Sequence, residues 1–82
     1  MKFKKKPIIV EAEQYDRFAK SYSPFLLEAL CSKAHYEMMG GTHVHTLEGI
    51  YEVKQNDWII KGIKGEFYPC DNEIFELTYE KV

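Results

Sequence analysis

Cysteine is scarce in this sequence: Cys31 and Cys70 are the only two in a chain of 82 residues. Two thiols do not make a disulfide framework, and the simpler reading is an intracellular protein that keeps both reduced. Long apolar runs are missing as well. The first one, Ile8-Ile9-Val10, stops at Glu11, far short of the roughly 18 residues that mark a membrane helix. It is also too short for the apolar core of a secretory leader, despite the basic start Met1–Pro7. Proline and glycine are few, at 3 and 5, and no polar stretch rich in them reads as a linker. No repeat or low-complexity tract is visible. Neither sign of charge dominates: 11 Lys+Arg against 13 Asp+Glu leave a net charge of −2, which does not describe a general DNA-coating protein. A phosphate-binding loop, a dinucleotide glycine fingerprint and a metalloprotease motif are all absent from the sequence.

What is plentiful is aromatic. Six Tyr, five Phe and one Trp bring the aromatic fraction to 15 %, within a hydrophobic fraction of 45 %. Disordered chains lack such residues, so the expectation is one folded domain over residues 1–82 with a small core.

Period and punctuation place its elements. Residues 8–15 alternate as a strand behind Pro7. Ser23-Pro24 opens a helix over about residues 23–33, Ser23 as cap and Pro24 in the first turn. Leu26, Ala29, Leu30 and Lys33 form its stripe. Residues 16–22 fit either a loop or an earlier helical turn. Gly40-Gly41 signals a hairpin between 35–39 and 42–47. Further short strands follow at 50–53, 58–61 and 66–69, with turns at 55–57 and 62–65. Phe75, Leu77 and Tyr79 alternate, which predicts a last strand over 75–81; a helix from Asp71 is the alternative. The fold expected is α+β: one curved, mainly antiparallel sheet of six or seven short strands, with one helix on its open side. Four lysines within residues 2–6 and four acids within 71–82 hint that the last strand pairs with the first, with Lys4–Lys6 near Glu80.

Several stretches resemble the PGDYG family of small phage and prophage proteins. They are Thr46-Leu47-Glu48-Gly49, Asn56-Asp57-Trp58-Ile59-Ile60-Lys61-Gly62, Lys64-Gly65-Glu66-Phe67-Tyr68-Pro69-Cys70, Ile74-Phe75-Glu76 and Thr78-Tyr79-Glu80. The Lys5-Lys6-Pro7 opening before an apolar strand and Glu11-Ala12 is similar too. Residues 16–45 match only in general character. The family's namesake turn reads Gln55-Asn56-Asp57-Trp58-Ile59 here. Asn in place of Gly keeps access to positive φ, and Trp in place of Tyr keeps the ring without the hydroxyl. The resemblance implies a phage-related protein in the cytoplasm of a bacterial host, and no particular activity.

Candidate sites compete with plainer readings. His43 and His45 share a strand face about 7 Å apart, as metal chelators can. No spacing supplies a third ligand, and His as a polar filler of a half-buried face is the simpler account. Cys70 stands before Asp71 at the mouth of a helical turn, where a thiol can be activated. The adjacent carboxylate opposes that, and no base or oxyanion hole is in view. Asp57 suits bonding to turn N–H groups. Trp58 is a core anchor or a stacking platform. Tyr68, with Lys64 and Glu66 on the same face, could stack on and neutralise a nucleotide; an ordinary solvated strand face is the plainer account.

With no nucleophile–base pair, metal set or phosphate loop, the sequence reads as a binding module that needs no cofactor, not as an enzyme. Its tentative surface is Asp57, Trp58, Lys64, Glu66, Tyr68 and Cys70. The leading expectation is a phage accessory protein that binds and blocks a host protein, such as a defence component. The alternative is an oligomer sequestering a nucleotide messenger between protomers through Trp58, Lys64 and Tyr68. A weaker alternative is nucleic-acid binding through Lys2–Lys6. Twelve aromatics exceed what so small a core hides, so a homodimer or larger assembly is expected.

Overall fold

The computed structural model describes residues 1–30 and 42–82. The predicted hairpin at Gly40-Gly41, its strand 35–39 and residues 31–33 of the predicted helix lie outside them. Among the described residues the chain is a small α+β domain. Its elements are β1 (Glu11–Gln14), α1 (Pro24–Ala29), β2 (Thr42–Thr46), β3 (Gly49–Val53), β4 (Trp58–Lys61), β5 (Phe67–Cys70) and α2 (Asn72–Thr78).

The strands are antiparallel, as expected, but form two sheets rather than one. β1, β4 and β5 make a three-stranded sheet in that order, and β2 with β3 makes a two-stranded one. The hairpin β2–β3 turns at Leu47-Glu48, where the Thr46 hydroxyl donates to the Gly49 carbonyl at 2.9 Å and accepts from the Glu48 N–H at 3.1 Å. It lies against β5.

Strand alternation gives the three-stranded sheet two working faces. Register pairs Glu13 with Ile59 and Glu11 with Lys61 on one face, and Ala12 with Ile60 and Gln14 with Trp58 on the other. Ile59 belongs to the main core with Tyr15, Leu26, Ala29, Val44 and Val53. Ile60, next to it in sequence, is equally buried and points the opposite way. Tyr15 enters the core with its hydroxyl satisfied, 2.7 Å from the Thr42 hydroxyl. Its main chain also closes the predicted turn: Tyr15 N–H donates to the Asp57 carbonyl at 2.7 Å, and Asn56 N–H donates to Tyr15 at 3.0 Å. Asn56 sits at φ 71, the left-handed position that Asn tolerates in place of Gly.

α1 begins where the sequence places it. Ser23 Oγ accepts from the Leu26 N–H at 3.2 Å and Pro24 takes the first turn. It ends earlier than the predicted residue 33, because Leu30 is extended and bridges to Val44. Residues 16–22 hold only turns and bends. The first strand is shorter than 8–15, since Ile8 and Ile9 stand exposed before it.

The predicted last strand over 75–81 is instead a helix, α2, and β1 pairs with β4 rather than with the C-terminal segment. Asp71 decides this. Its Oδ2 accepts from the N–H groups of Glu73 and Ile74 at 3.0 and 3.3 Å, a helix N-cap. Phe75 and Tyr79 then stand one turn apart on one face, and Leu77 is exposed. Phe75 stacks on Trp58 with centroids 4.1 Å apart and planes 6° from parallel, and Tyr79 stacks on Phe75 at 5.0 Å. Asn72 Oδ1 accepts from Trp58 Nε1 at 2.8 Å and from Gln14 Nε2 at 3.2 Å. The helix is thereby fastened onto the face that carries Ile60.

Two substitutions test this fastening. Asp71→Ala removes the cap and lowers unfolding stability by about 1 kcal/mol. Phe75→Ala costs about 2 kcal/mol, below the 3–5 of a fully buried ring, and moves the emission of the chain's one tryptophan to longer wavelength. An unchanged spectrum would mean that α2 does not dock on Trp58.

Candidate functional site

Among the described residues β1 is an edge strand, paired with β4 on one side only. Because Tyr15 bonds towards β4, antiparallel alternation turns Glu11 and Glu13 the same way. It turns the peptide groups of Ala12 and Gln14 outwards. Along this edge runs a groove of about 910 Å³, lined by residues 7–14, by residues 78–82 at and after the end of α2, and by Phe25, Trp58 and Phe75. Phe25 sits on the Ile59 face of the sheet, edge-on to Phe67 at 5.6 Å. Trp58 and Phe75 sit on the Ile60 face. The groove therefore wraps the edge, with apolar walls on both faces.

Charge is arranged at its rim. Glu13 accepts from the Ser23 hydroxyl at 2.7 Å, while Glu11 is exposed. Lys5 crosses to the far wall, where Nζ donates to the Tyr79 hydroxyl at 2.8 Å and lies 4.4 Å from the ring centroid, a cation–π geometry. The two ends of the sequence do meet, but through this ring.

Tyr79 in turn hydrogen-bonds Tyr68. Burial first, then that bond and the charges around it, push the Tyr68 hydroxyl up to about 12. Burial also raises the Cys70 thiol, with Asp71 and then Asp57 adding to the effect and Lys5 opposing it. A thiol held protonated is the reverse of an activated nucleophile.

The sequence candidates do not converge within the protomer. Asp57 is a turn residue, its Oδ2 accepting from the Lys54 N–H at 2.9 Å. Glu66 folds into its own hairpin, with Oε2 accepting from the Lys64 N–H at 3.1 Å and its carboxylate standing where a side chain at Gly62 would go. Lys64 lies in the β4–β5 turn, at the opposite end of that hairpin from Trp58. Tyr68 and Glu66 line a separate cleft of about 350 Å³ with Thr46, Leu47 and Tyr51, whereas Trp58 lines the edge groove. Trp58 has one ring face on Phe75 and its N–H on Asn72, so it anchors α2.

His43 and His45 share a face of β2, opposite Glu52 and Ile50. His43 is buried, its Nδ1 without a hydrogen-bond partner among the described residues, and His45 is exposed. Among the described residues no three His, Cys, Asp or Glu side chains gather to hold a metal.

Sequence reasoning missed Phe25, Asn72, Phe75 and Lys5 as groove and anchor residues. The available signal was Asp71 followed by aromatics four apart at 75 and 79. No family model, no curated protein and no solved structure matches the chain. No helix among the described residues is long and apolar enough to cross a membrane.

Alkaline titration checks the tyrosine pair. One tyrosine should ionise near pH 12 rather than 10.0, and Tyr68→Phe should remove that late step from the absorbance curve. Because the folded value is raised, the folded chain keeps a proton that the unfolded chain loses, so stability falls as pH climbs from 10 towards 12. A titration in which all tyrosines ionise together near 10 would contradict the Tyr68–Tyr79 contact.

Proposed function

We propose that the chain is a non-catalytic binding module that takes an extended segment of a partner protein into the groove beside β1. One observation carries this reading: an open strand edge with outward peptide groups lies inside an apolar groove. Strand addition uses such an edge, with main-chain hydrogen bonds supplying affinity and side-chain pockets supplying selectivity. The volume, about 910 Å³, is near the upper end of small-molecule pockets and long enough to follow several residues of a peptide. The resemblance to PGDYG phage proteins gives the partner a setting: a protein of the bacterial host, such as a defence component, blocked by occupying one of its segments. The raised Cys70 thiol and the dispersal of Asp57, Lys64, Glu66 and Tyr68 support binding over catalysis, and they favour a protein segment over a nucleotide.

Selection of a random peptide library against the immobilised protein tests the reading. Extended peptides with apolar residues at alternate positions are expected. Ala12→Pro removes an outward N–H, and proline is tolerated on an edge strand at such a position, so this variant should fold and lose the peptides. N-methylation of alternate peptide residues should abolish binding without touching the protein. Peptides that bind Ala12→Pro and the wild type alike, or no enrichment at all, would overturn strand addition.

A further inference from the structure

The charges on β1 restrict what can lie beside it. A strand added to this edge meets Glu11 and Glu13 on one face, and Ala12 with the Trp58–Phe75 wall on the other. Opposite charges across a strand pair attract, and like charges directly opposite repel. Two copies of β1 centred on Ala12 would set Glu11 against Glu13 twice, so the edge is guarded against its own image. The complementary segment alternates cations with apolar residues.

This sequence contains such a segment. Met1-Lys2-Phe3-Lys4 alternates with period two, and Met1 and Phe3 are almost wholly exposed, at 112 % and 89 %. We propose that residues 1–4 of a second copy of this chain occupy the groove as an added antiparallel strand, exchanged reciprocally between two protomers. This deepens the strand-addition reading of the groove and rests on it.

The register follows from the charges. Phe3 lies opposite Ala12 of the other copy, Lys4 opposite Glu11 and Lys2 opposite Glu13. Cross-strand partners share a face, so Phe3 falls on the face carrying Trp58 and Phe75 while both lysines fall on the glutamate face. Ala12, whose peptide group points outwards, becomes a hydrogen-bonded pair with Phe3. In an isologous pair each contact occurs twice. The Ile8 N–H donates to the Lys6 carbonyl at 2.9 Å around Pro7, a turn that separates the exchanged segment from β1, so the two ladders lie apart on either side of the two-fold axis and do not run through it. Lys5, held on Tyr79, stands at the base of the exchanged segment.

Sedimentation of the full chain across micromolar concentrations reads the proposal. Wild type should exceed 9.7 kDa with a dimer mass at the upper end. Lys4→Glu and Glu11→Lys should each weaken dimerisation about tenfold, because symmetry repeats the repulsive pair. The double variant, with the charges exchanged, should return to within about threefold of wild type. Both residues are exposed, and circular dichroism reports any loss of fold. A monomer throughout overturns the exchange; if library peptides still bind, the groove reading survives it. A dimer indifferent to Lys4→Glu, or weakened by it and not restored by the double variant, also overturns this register.

Discussion

Ile59 and Ile60 are neighbours in β4, both without appreciable exposure and pointing to opposite faces of the sheet. A strand can bury consecutive side chains only when the sheet is covered on both sides. The rest of the domain answers that demand. α1 and the β2–β3 hairpin cover Ile59 and build the larger core. Among the described residues the face of Ile60 is covered by α2, which presents Phe75 and Tyr79 through one cap, one amide and one stack of rings. Among the described residues no strand pairs with β1 on its far side, and the edge of that strand opens into a groove.

Much of the fold was legible because local chemistry and global packing agreed. Ser23-Pro24 announces a helix start that the structure uses, and Gln55-Asn56-Asp57 announces a turn that Asn56 completes at positive φ. Alternation put Trp58 and Ile60 on one face and Phe67 opposite Tyr68, as observed. The misreading came at residues 75–79, where two periods coincide: a spacing of four is both two strand repeats and one helical turn. By period Leu77 completes a strand face, yet it is exposed. The side chain that settles the matter, Asp71, lies just before the ambiguous run. The helix end at Ala29 was not legible either, because the bridge from Leu30 to Val44 joins parts of the chain that the sequence does not show to be neighbours.

The site was less legible than the fold, for a physical reason. Polar candidates are chosen by type, but here most have local duties. Asp57 and Glu66 satisfy turn N–H groups, and Cys70 lies beside a capping carboxylate that disfavours its thiolate. The groove is assembled from apolar and backbone groups that carry no signature: an outward peptide at Ala12, Phe25 from α1, and residues beyond α2. Such a surface appears only when strand order is known, since an edge is a property of the sheet and not of the strand.

The order in which the chain is made bears on that sheet. β1 is made before its partner β4, which lies more than forty residues later, and α2 follows later still. Synthesis is slow, at about 5–20 residues per second, compared with the closing of a hairpin. The β4–β5 hairpin is local and needs no residue of α2 to close, so the Ile60 face stays open to solvent until α2 docks. A chain cut short before residue 75 lacks the ring that stacks on Trp58 and presents an apolar sheet face that a chaperone would bind.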